Sequence, residues 1–326
     1  MFPEPDWRPT CAGQALFDRA RLLTSVRAFF AERAVLEVET PVLSRYRGTD
    51  PNLNAFRTQV DSRGHSWYLQ TSPEFAMKRL LANGVASIYQ IAKAFRQDEQ
   101  GRHHNPEFTL LEWYRTEFDL ERLMTETEQL LRAVDVDQVL PTKIERFRYR
   151  DLMLERLALD PWQFDVDVYR ACAKRLGFDD APRICGDAHS VWLDFLFSQA
   201  IQPQLGRAAL TWVYQFPVLQ SSLARVSPND PNAVERAELF IDGMELANGY
   251  HELIDARQQQ QRFEQENQWR IEHGRVAVEA DPRLLAALRS GLPDCAGIAL
   301  GLDRLLMLLT GAGAIDEVLA FSSARA

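Results

Sequence analysis

The spacing of apolar residues changes repeatedly between a helical and a strand period, which predicts a mixed protein of helices and strands. Helices are predicted over residues 15–33, 120–134, 151–178 (two short helices around Pro161), 188–203, 257–274 and 281–290. Strands are predicted over residues 35–43, 66–70, 84–95, 108–118, 209–217 and, as a partly alternating pair, 238–256. The mixture predicts an α+β fold, a single domain with an antiparallel sheet flanked by helices and a helical lobe at about 150–203.

The first part of the chain carries three local signals. Residues 1–14 hold three prolines and little apolar pattern, so we predict a loose arm ahead of a domain over residues 15–326. Pro41 inside the first predicted strand indicates an edge or an interface, because proline cannot donate a hydrogen bond to a neighbouring strand. Ser72 is the predicted N-cap of a helix that begins at Pro73.

A polar loop joins two β-prone stretches within residues 95–114, and its side chains suit a nucleotide. It combines arginine, histidine and acidic residues with aromatic ones. A guanidinium group such as that of Arg96 can bind phosphate oxygens in two hydrogen bonds, and a ring such as that of Phe108 can stack on a base. The alternative for any charged loop is a solvated hairpin tip, which is favoured until a second motif completes the same site.

A strand-to-helix turn near the C-terminus supplies that second motif. The strand is predicted to end at Gly301 and the helix to begin around Asp303, with Arg304 in its first turn. A cation there opposes the helix dipole, which favours anions at a helix N-terminus, so the arginine indicates a bound polyanion. The two motifs together predict a polyphosphate site.

Three glutamates spaced by seven, Glu238, Glu245 and Glu252, lie in the strand pair 238–256. Glu238 and Glu245 are predicted to face each other on one side of the sheet, where two carboxylates beside a phosphate site can hold Mg²⁺. The alternative is solvent-facing acids on an amphipathic strand, and the phosphate loop in the same chain favours the metal. Glu252 is predicted to meet a substrate ammonium group.

Composition restricts the class of protein. The 326 residues carry 46 acidic and 37 basic side chains, and the net charge of −9 does not favour a general nucleic-acid binder. Four scattered cysteines predict reduced thiols rather than disulfides or a zinc site. No apolar run approaches the length of a membrane span and the N-terminus has no signal-peptide pattern, so we expect a cytoplasmic protein without a membrane partner.

These motifs together resemble those of class II aminoacyl-tRNA synthetases. VLEVETPVL is similar to motif 1, FRQDEQGRHHNPEFTLLEWY to motif 2 and GIALGLDRLL to motif 3. TSPEFAMKRLL and ELANGYHELIDA resemble the lysyl-tRNA synthetase core, and the similarity runs from about residue 16 to the end. Those synthetases place an anticodon-reading OB-fold domain ahead of motif 1, for which there is no room here, so no anticodon recognition is expected. As a stand-alone core, the chain closely resembles the elongation factor P–(R)-β-lysine ligase family.

The resemblance implies an ATP-dependent ligase that activates (R)-β-lysine as an adenylate and transfers it to a lysine side chain of elongation factor P, a protein that imitates the shape of tRNA. The implied cofactors are ATP and Mg²⁺. Motif 1 forms the dimer interface of class II synthetases, so its counterpart at residues 35–43 implies a homodimer.

The resemblance also implies roles for individual side chains. Arg96 would grip the α-phosphate and stabilise the charge that develops there, and Arg304 would cover adenine and reach the γ-phosphate. The implied ATP-binding residues are Arg96, Gln97, Asp98, His104, Asn105, Phe108, Glu245, Leu246, Gly301 and Arg304. The implied substrate-binding residues are Ser72, Pro73, Glu74, Tyr114, Glu252 and Ala299, and the implied Mg²⁺ ligands are Glu238 and Glu245.

Two features depart from the patterns of these families. Gln97 and Asp98 stand where the ligase family commonly has asparagine and glutamate, and the shorter acid is expected to alter the contact with adenine. Ala299 stands where lysyl-tRNA synthetases usually have glycine, a change that the ligase family shares. One extra methyl group can reject a substrate group by about 1–3 kcal/mol. We therefore hypothesise that Ala299 disfavours α-lysine.

Two other functions remain to be weighed against the ligase. A tRNA-charging enzyme without an anticodon domain would bind the acceptor stem weakly, and the acidic balance of the chain does not help it. A synthetase paralogue that serves as a non-enzymatic scaffold has no need of a triphosphate site. The presence of Arg96, Glu238, Glu245 and Arg304 argues against that scaffold.

Overall fold

The computed structural model describes residues 7–59, 66–221 and 223–326, and it confirms an α+β fold with mostly antiparallel strands. The helices are α1 Gly13–Ala31, α2 Glu74–Ala82, α3 Leu120–Val134, α4 Tyr149–Leu157, α5 Val166–Arg175, α6 Ala181–Cys185, α7 His189–Leu196, α8 Ala256–Glu272, α9 Pro282–Gly291 and α10 Leu302–Thr310. The strands are β1 Leu36–Glu37, β2 Leu43–Ser44, β3 Arg57–Gln59, β4 Ser66–Leu69, β5 Ile88–Phe95, β6 Glu107–Thr116, β7 Ile144–Arg148, β8 Leu210–Pro217, β9 Ala233–Ile241, β10 Met244–His251 and β11 Cys295–Gly301.

The chain divides into two compact units. The first unit combines the chain up to Leu140 with Ile254–Ala326, and the second unit is Pro141–Leu253. The predicted boundaries of an arm over residues 1–14 and a single catalytic domain over residues 15–326 stay predictions.

Four strands of the first unit lie side by side in the order β1–β5–β6–β11. β1 runs parallel to β5, whereas β5, β6 and β11 pair antiparallel. The β5–β6 ladder extends from Ile88 opposite Tyr114 to Phe95 opposite Glu107. The predicted hairpin with a polar loop is therefore confirmed.

Alternation along β6 gives the sheet of this unit a core face. Trp113 is fully buried, and its ring centroid lies 5.5 Å from that of Phe30 on α1. Phe30 also stacks on Tyr89 of β5, with the ring centroids 4.4 Å apart. Because side chains alternate between the faces of a strand, Glu112 and Tyr114 of β6 point to the opposite face.

The prediction of one strand over residues 35–43 is wrong. The segment forms β1, which pairs with β5, and β2, which pairs with β4 in a separate three-stranded sheet of order β2–β4–β3. Pro41 lies between the two strands, where no ladder requires its missing N–H group. Leu36, Val42 and Leu43 of this segment are exposed.

The second unit contains four strands in the order β10–β9–β8–β7. β9 and β10 are joined by Asp242 and Gly243, whose φ angles of 51° and 74° suit a two-residue hairpin turn. Helices α4, α5, α6 and α7 belong to the same unit and account for the predicted helical lobe, and α7 continues into a π-helical turn, Phe197–Ile201. The Tyr149 ring stacks on Phe197, with the ring centroids 5.0 Å apart, in the core of this unit. Sequence patterns did not predict β3, β7 or α6.

The N-terminal arm and the start of α2 differ from expectation. Within the described part of the predicted arm, Thr10 donates its N–H group to the carbonyl of Ala320 at 2.7 Å, and its hydroxyl accepts from the N–H group of Ser322 at 3.0 Å. Thr10 is therefore held against the C-terminal segment, residues 1–6 lie outside the described part, and the arm as a whole stays a prediction. Helix α2 begins at Glu74 with Pro73 as its N-cap, although the hydroxyl of Ser72 still accepts from the Glu74 N–H group at 3.2 Å.

Among the described residues, no helix is both long and apolar enough to cross a membrane.

Gly206 should be intolerant of any side chain. A Cβ atom there would lie 2.5 Å from Cα of Ile241 and 2.6 Å from the carbonyl oxygen of Phe240, and its φ angle is +71°. Gly84 has a comparable φ of +85° but no atom within 4 Å of an added Cβ. Gly84→Ala should lower the free energy of unfolding by about 1–2 kcal/mol through φ alone, and Gly206→Ala by about 1–3 kcal/mol more through the clash.

Urea unfolding of both variants measures this difference. Equal losses for the two variants would show that the backbone around Gly206 relaxes to admit the methyl group.

Candidate active site

The face of the first unit's sheet opposite the core carries three rows of side chains that run across the strands. Ala299 of β11 lies directly opposite Glu112 of β6, which in turn lies opposite Gln90 of β5. In the next rows Gly297 lies opposite Tyr114, and Gly301 lies opposite Leu110. β11 therefore contributes only small residues beside the larger side chains of β6, an arrangement that permits the close approach of a ligand.

Glu112 and Tyr114 form a buried polar pair on this face. Both are 2% exposed, and the Tyr114 hydroxyl donates to Oε1 of Glu112 at 2.7 Å. A buried carboxylate is costly unless a hydrogen bond or a cation stabilises it. The pair therefore suits an ammonium group on a ligand. Tyr114 was predicted as a substrate residue, whereas Glu112 was not.

The Arg96 guanidinium group is held in three ways at the start of the motif 2 loop. Nε donates to the carbonyl of Thr71 at 3.4 Å, and Nη1 lies 3.3 Å from a carboxylate oxygen of Glu99. Its Cζ atom lies 5.0 Å from the centroid of the Phe108 ring, within the range of a cation–π contact. The structure thus brings together Arg96 and Phe108, the predicted phosphate and adenine contacts.

Arg304 reaches the same loop from the first turn of α10. Its Nε donates to the carbonyl of His103 at 3.3 Å, and Nη2 lies 2.7 Å from Nε2 of His104. Since arginine can only donate, Nε2 of His104 accepts in this contact. Gly301 lies against the arginine, because a Cβ atom there would be 3.6 Å from its Cδ atom.

The Asn105 side chain binds backbone groups, a role that the sequence did not indicate. Asn105 is 6% exposed, its Nδ2 donates to the carbonyl of Glu107 at 2.6 Å, and its Oδ1 accepts from the Ser323 N–H group at 3.0 Å. Gln97 and Asp98 are exposed at the tip, and Asp98 has a φ of 64°, a conformation that aspartate tolerates well. The nucleotide contacts of these three residues stay predictions.

Helix α2 contributes a buried ion pair in its first turns. Nζ of Lys78 lies 2.6 Å from Oε1 of Glu74, and Lys78 is only 2% exposed. Pro73 is buried and Ser72 half-buried at the start of the helix. Glu74 is thus partly neutralised within the protein. Lys78 is a second buried charge that sequence reasoning left unassigned.

The carboxylates of the second unit do not meet as predicted. The two-residue turn places Glu245 opposite Phe240, and a bulge between Glu245 and Ala247 then shifts the register so that Asn248 lies opposite Glu238. The prediction that the two glutamates face each other is therefore wrong. They still share one face of the hairpin, since Glu238 and Phe240 are two residues apart on one strand. Leu246, predicted to line the nucleotide pocket, is the bulged residue and is 2% exposed.

Glu238 is buried and pairs with a cation of its own strand. Its Oε1 lies 2.5 Å from Nη2 of Arg236 and accepts from Nδ2 of Asn248 at 3.3 Å. Burial raises the pKa of Glu238 to about 8, Arg236 opposes this increase and Glu245 adds to it. A site where two carboxylates repel each other at low exposure has an affinity for a further cation, so the donor set fits Mg²⁺.

No group of three or more His, Cys, Asp or Glu side chains within the described residues could hold a metal ion. This finding is compatible with Mg²⁺, which takes one or two protein carboxylates and keeps several waters. Glu252, predicted to meet an ammonium group, is fully buried, and its carbonyl accepts from Nε of Arg225 at 3.0 Å. Oδ1 of Asn248 is buried without a hydrogen-bond partner among the described residues, so it is a further candidate ligand.

Three polar residues of the site, Glu112, Lys78 and Asn248, were thus missed in the sequence. A signal existed for Glu112, because it lies two residues before Tyr114 in an alternating strand and must share its face. A signal also existed for Lys78, because it follows Glu74 by four residues on the predicted helix, a spacing that brings Glu and Lys side chains together. The partner of Asn248 is set by a shifted register, for which the sequence carries no comparable signal.

Comparison with known proteins supports the motifs. A family model described as tRNA synthetases class II (D, K and N) matches residues 6–325. A Salmonella typhi protein named Elongation factor P–(R)-beta-lysine ligase is 44% identical over 325 residues, which cover 98% of each chain. A protein of the same name from Vibrio vulnificus strain YJ016 is 44% identical over 322 residues, again 98% of each chain. With its motifs, its α+β fold and similarity over nearly its whole length in agreement, this chain belongs to the class II tRNA synthetase family of the D, K and N type.

Proposed function

We propose that this chain is an ATP-dependent ligase that activates (R)-β-lysine as an aminoacyl-adenylate and transfers it to a lysine side chain of elongation factor P. The observation that carries the proposal is the contact of both Arg96 and Arg304 with the single motif 2 hairpin, beside the buried Glu112–Tyr114 pair. The names of relatives that match 98% of the chain support the choice of substrates.

The arginines are suited to bind a triphosphate and to stabilise charge. During activation, a carboxylate oxygen of the amino acid attacks the α-phosphorus, the bond from that phosphorus to the bridging oxygen breaks, and pyrophosphate leaves. Negative charge builds up on the α-phosphate oxygens in this step. Arg96, held by Thr71 and Glu99, provides a guanidinium group whose orientation is fixed beforehand, the arrangement that lowers an electrostatic barrier most.

The polar face of β6 is suited to the amino acid. Glu112 and Tyr114 would bind an ammonium group in a site where water is excluded, and Glu74 is a further carboxylate of the same unit for the second one. Ala299 lies opposite Glu112, so its methyl group would border the same ammonium position. The position of this methyl group gives a physical basis for discrimination between α-lysine and β-lysine.

Magnesium is the ion that the carboxylates would hold. Glu238 and Glu245 are the proposed ligands, and when bound the ion would neutralise phosphate charge. The residues of this chain would then orient the reactants and, through Arg96, stabilise the charge on the α-phosphate. In the second reaction, the ε-amino nitrogen of the acceptor lysine attacks the acyl carbon, an amide bond forms and AMP leaves. Neither reaction requires a nucleophilic side chain of the enzyme.

The proposal includes a cytoplasmic homodimer. Leu36, Val42 and Leu43 expose apolar surface on either side of Pro41, in the segment that resembles motif 1. A symmetric contact between two copies would cover such surface. All four cysteines are buried as free thiols, which is compatible with a reducing compartment.

The test of the proposal is ATP–pyrophosphate exchange with (R)-β-lysine, (S)-β-lysine and α-lysine as separate substrates. We expect the fastest exchange with (R)-β-lysine, because its amino groups would match the site bordered by Glu112 and Ala299. Subsequent transfer of radiolabelled β-lysine to elongation factor P, and not to its variant without the acceptor lysine, identifies the acceptor. A preference for α-lysine would favour tRNA charging, and the absence of exchange with all three would favour a scaffold.

Arg96→Lys should lower kcat for exchange by about 10²–10³-fold, because lysine keeps the charge but loses the planar two-donor geometry. The matched control is Lys93→Gln, which removes a half-exposed cation of β5 that pairs with Glu107 at 3.3 Å. The control should retain exchange within a factor of about 2. Equal losses in both variants would show that general positive charge, rather than the Arg96 contact, drives the reaction.

Ala299→Gly should shift the preference from (R)-β-lysine towards α-lysine by about 10–200-fold in kcat/KM, because it removes the methyl group beside Glu112. Ala296→Gly makes the same change on the opposite face of β11, where Ala296 is buried in the core. That control should lower stability without altering the preference. An unchanged preference in Ala299→Gly would refute the role of this methyl group.

A further inference from the structure

Residues 49–54 form a loop, which we call the clasp loop. Side chains from the C-terminal half of α8 and from the turn after it bind this loop. The Thr49 hydroxyl donates to Oε2 of Glu266 on α8. Nη1 of Arg270 donates to the carbonyl of Asp50 at 3.2 Å, and Nη1 of Arg275 donates to the carbonyl of Pro51. Three consecutive residues of the loop are thus bound by α8 and the turn that follows it.

The far end of the clasp loop contacts the motif 2 loop. The carbonyl of Asn54 accepts from the N–H group of Gln97 at 2.8 Å. Gln97 directly follows Arg96, the proposed α-phosphate ligand. A continuous series of contacts therefore leads from Glu266 through the clasp loop to the backbone beside Arg96, all within the first unit.

Among the described α8 side chains that hold the clasp loop, Glu266 is the carboxylate, and it is half-buried. Burial raises its pKa to about 7. The charged and polar groups around it are Thr49 and Asp50 of the loop and Arg262 and Arg270 of its own helix. Thr49 and the two arginines oppose the increase, and Asp50 adds to it. Burial lowers the pKa of Arg270, and the nearby charges of Arg47 and Arg275 lower it further.

The burial of Glu266 determines whether a rise in pH favours or weakens closure of the clasp loop. Contact with the clasp loop contributes to the shielding of Glu266, whereas an open loop would expose the carboxylate to water and return its pKa towards the ordinary value of 4.5. The closed form thus binds a proton more readily than the open form. Closure is favoured at low pH and is progressively weakened as the pH rises through about 7.

We propose that Thr49 and Glu266 form a proton-dependent clasp, closed when Glu266 is protonated, that positions Arg96 through Asn54 and Gln97. Both are positioning residues, since neither is placed in contact with a substrate. The consequence for ATP use rests on the function proposed above, whereas the clasp itself does not. Between about pH 6 and about pH 8.5, the ratio of closed to open loop should fall by about tenfold.

Amide hydrogen exchange of residues 49, 50 and 52–54, corrected for the intrinsic effect of pH, measures the clasp directly, since Pro51 has no amide hydrogen. In the unaltered protein the protection of these amides should fall by about tenfold between about pH 6 and about pH 8.5. Glu266→Gln imitates the protonated carboxyl group and should keep the low-pH protection throughout. Glu264→Gln is the matched control on the exposed side of α8, where Glu264 accepts from Nε2 of Gln260 at 3.0 Å, and it should behave as the unaltered protein.

The catalytic consequence is measured as KM for ATP in the exchange reaction. The KM of the unaltered enzyme should rise with pH by up to about tenfold relative to Glu266→Gln, which should show no such rise. Thr49→Val removes the hydroxyl group and should raise KM at both pH values with kcat less affected, and Thr49→Ser should restore it. This KM effect with rescue by serine separates positioning from a general loss of stability.

Two results would overturn the clasp. Loop protection in Glu266→Gln that follows the pH dependence of the unaltered protein would show that Glu266 does not govern closure. Loss of protection in Glu266→Gln at both pH values would show that the ionised carboxylate is the closed form. If loop protection behaves as expected but no lysine isomer supports exchange, the clasp is supported and the proposed ligase function fails.

Discussion

The two-residue period of strand β6 is the constraint on which the first unit depends. It sends Trp113 into a core formed with Phe30 and Tyr89, and it sends Glu112 and Tyr114 to the opposite face. A shift of one residue in the register would bury the carboxylate against α1 and expose the tryptophan. Stability and the polar face of the site are therefore fixed by the same hydrogen-bonded ladder.

Buried charge recurs among the candidate site residues of each unit. Glu112 is stabilised by the hydroxyl group of Tyr114, Glu74 by Lys78 and Glu238 by Arg236. Each contact lowers the cost of keeping a carboxylate away from water while leaving it able to interact with a cation. In the function proposed above, such preformed groups would bind an ammonium ion or Mg²⁺ more strongly than exposed carboxylates, because little water must be displaced or reoriented.

The orientation of Arg96 links the proposed chemistry to the clasp. Formation of an adenylate requires charge stabilisation and alignment rather than a nucleophilic side chain, so the orientation of Arg96 is decisive. Thr71 and Glu99 contact that arginine directly, and the clasp loop acts on the next residue along the chain. A protonation event at Glu266 could therefore alter catalysis without any change in the residues that touch the substrates.

The sequence by itself determined the elements with strong periodicity and the residues that lie within short motifs. The exact span of α3, the β5–β6 hairpin and the turn from β11 into α10 follow from local patterns, and so does the family. Glu112 could have been found in the same way. These features depend on neighbours in the chain, and spacing alone reveals them.

Only the tertiary structure decided which distant groups meet. The bulge at Leu246 places Glu238 opposite Asn248, and the division of residues 35–43 into β1 and β2 depends on pairing with two different strands. The contact of Thr49 with Glu266 joins positions 217 residues apart in the chain. Register, burial and long-range pairing arise from the packing of whole elements, and a local hydrophobic pattern contains no information about those partners.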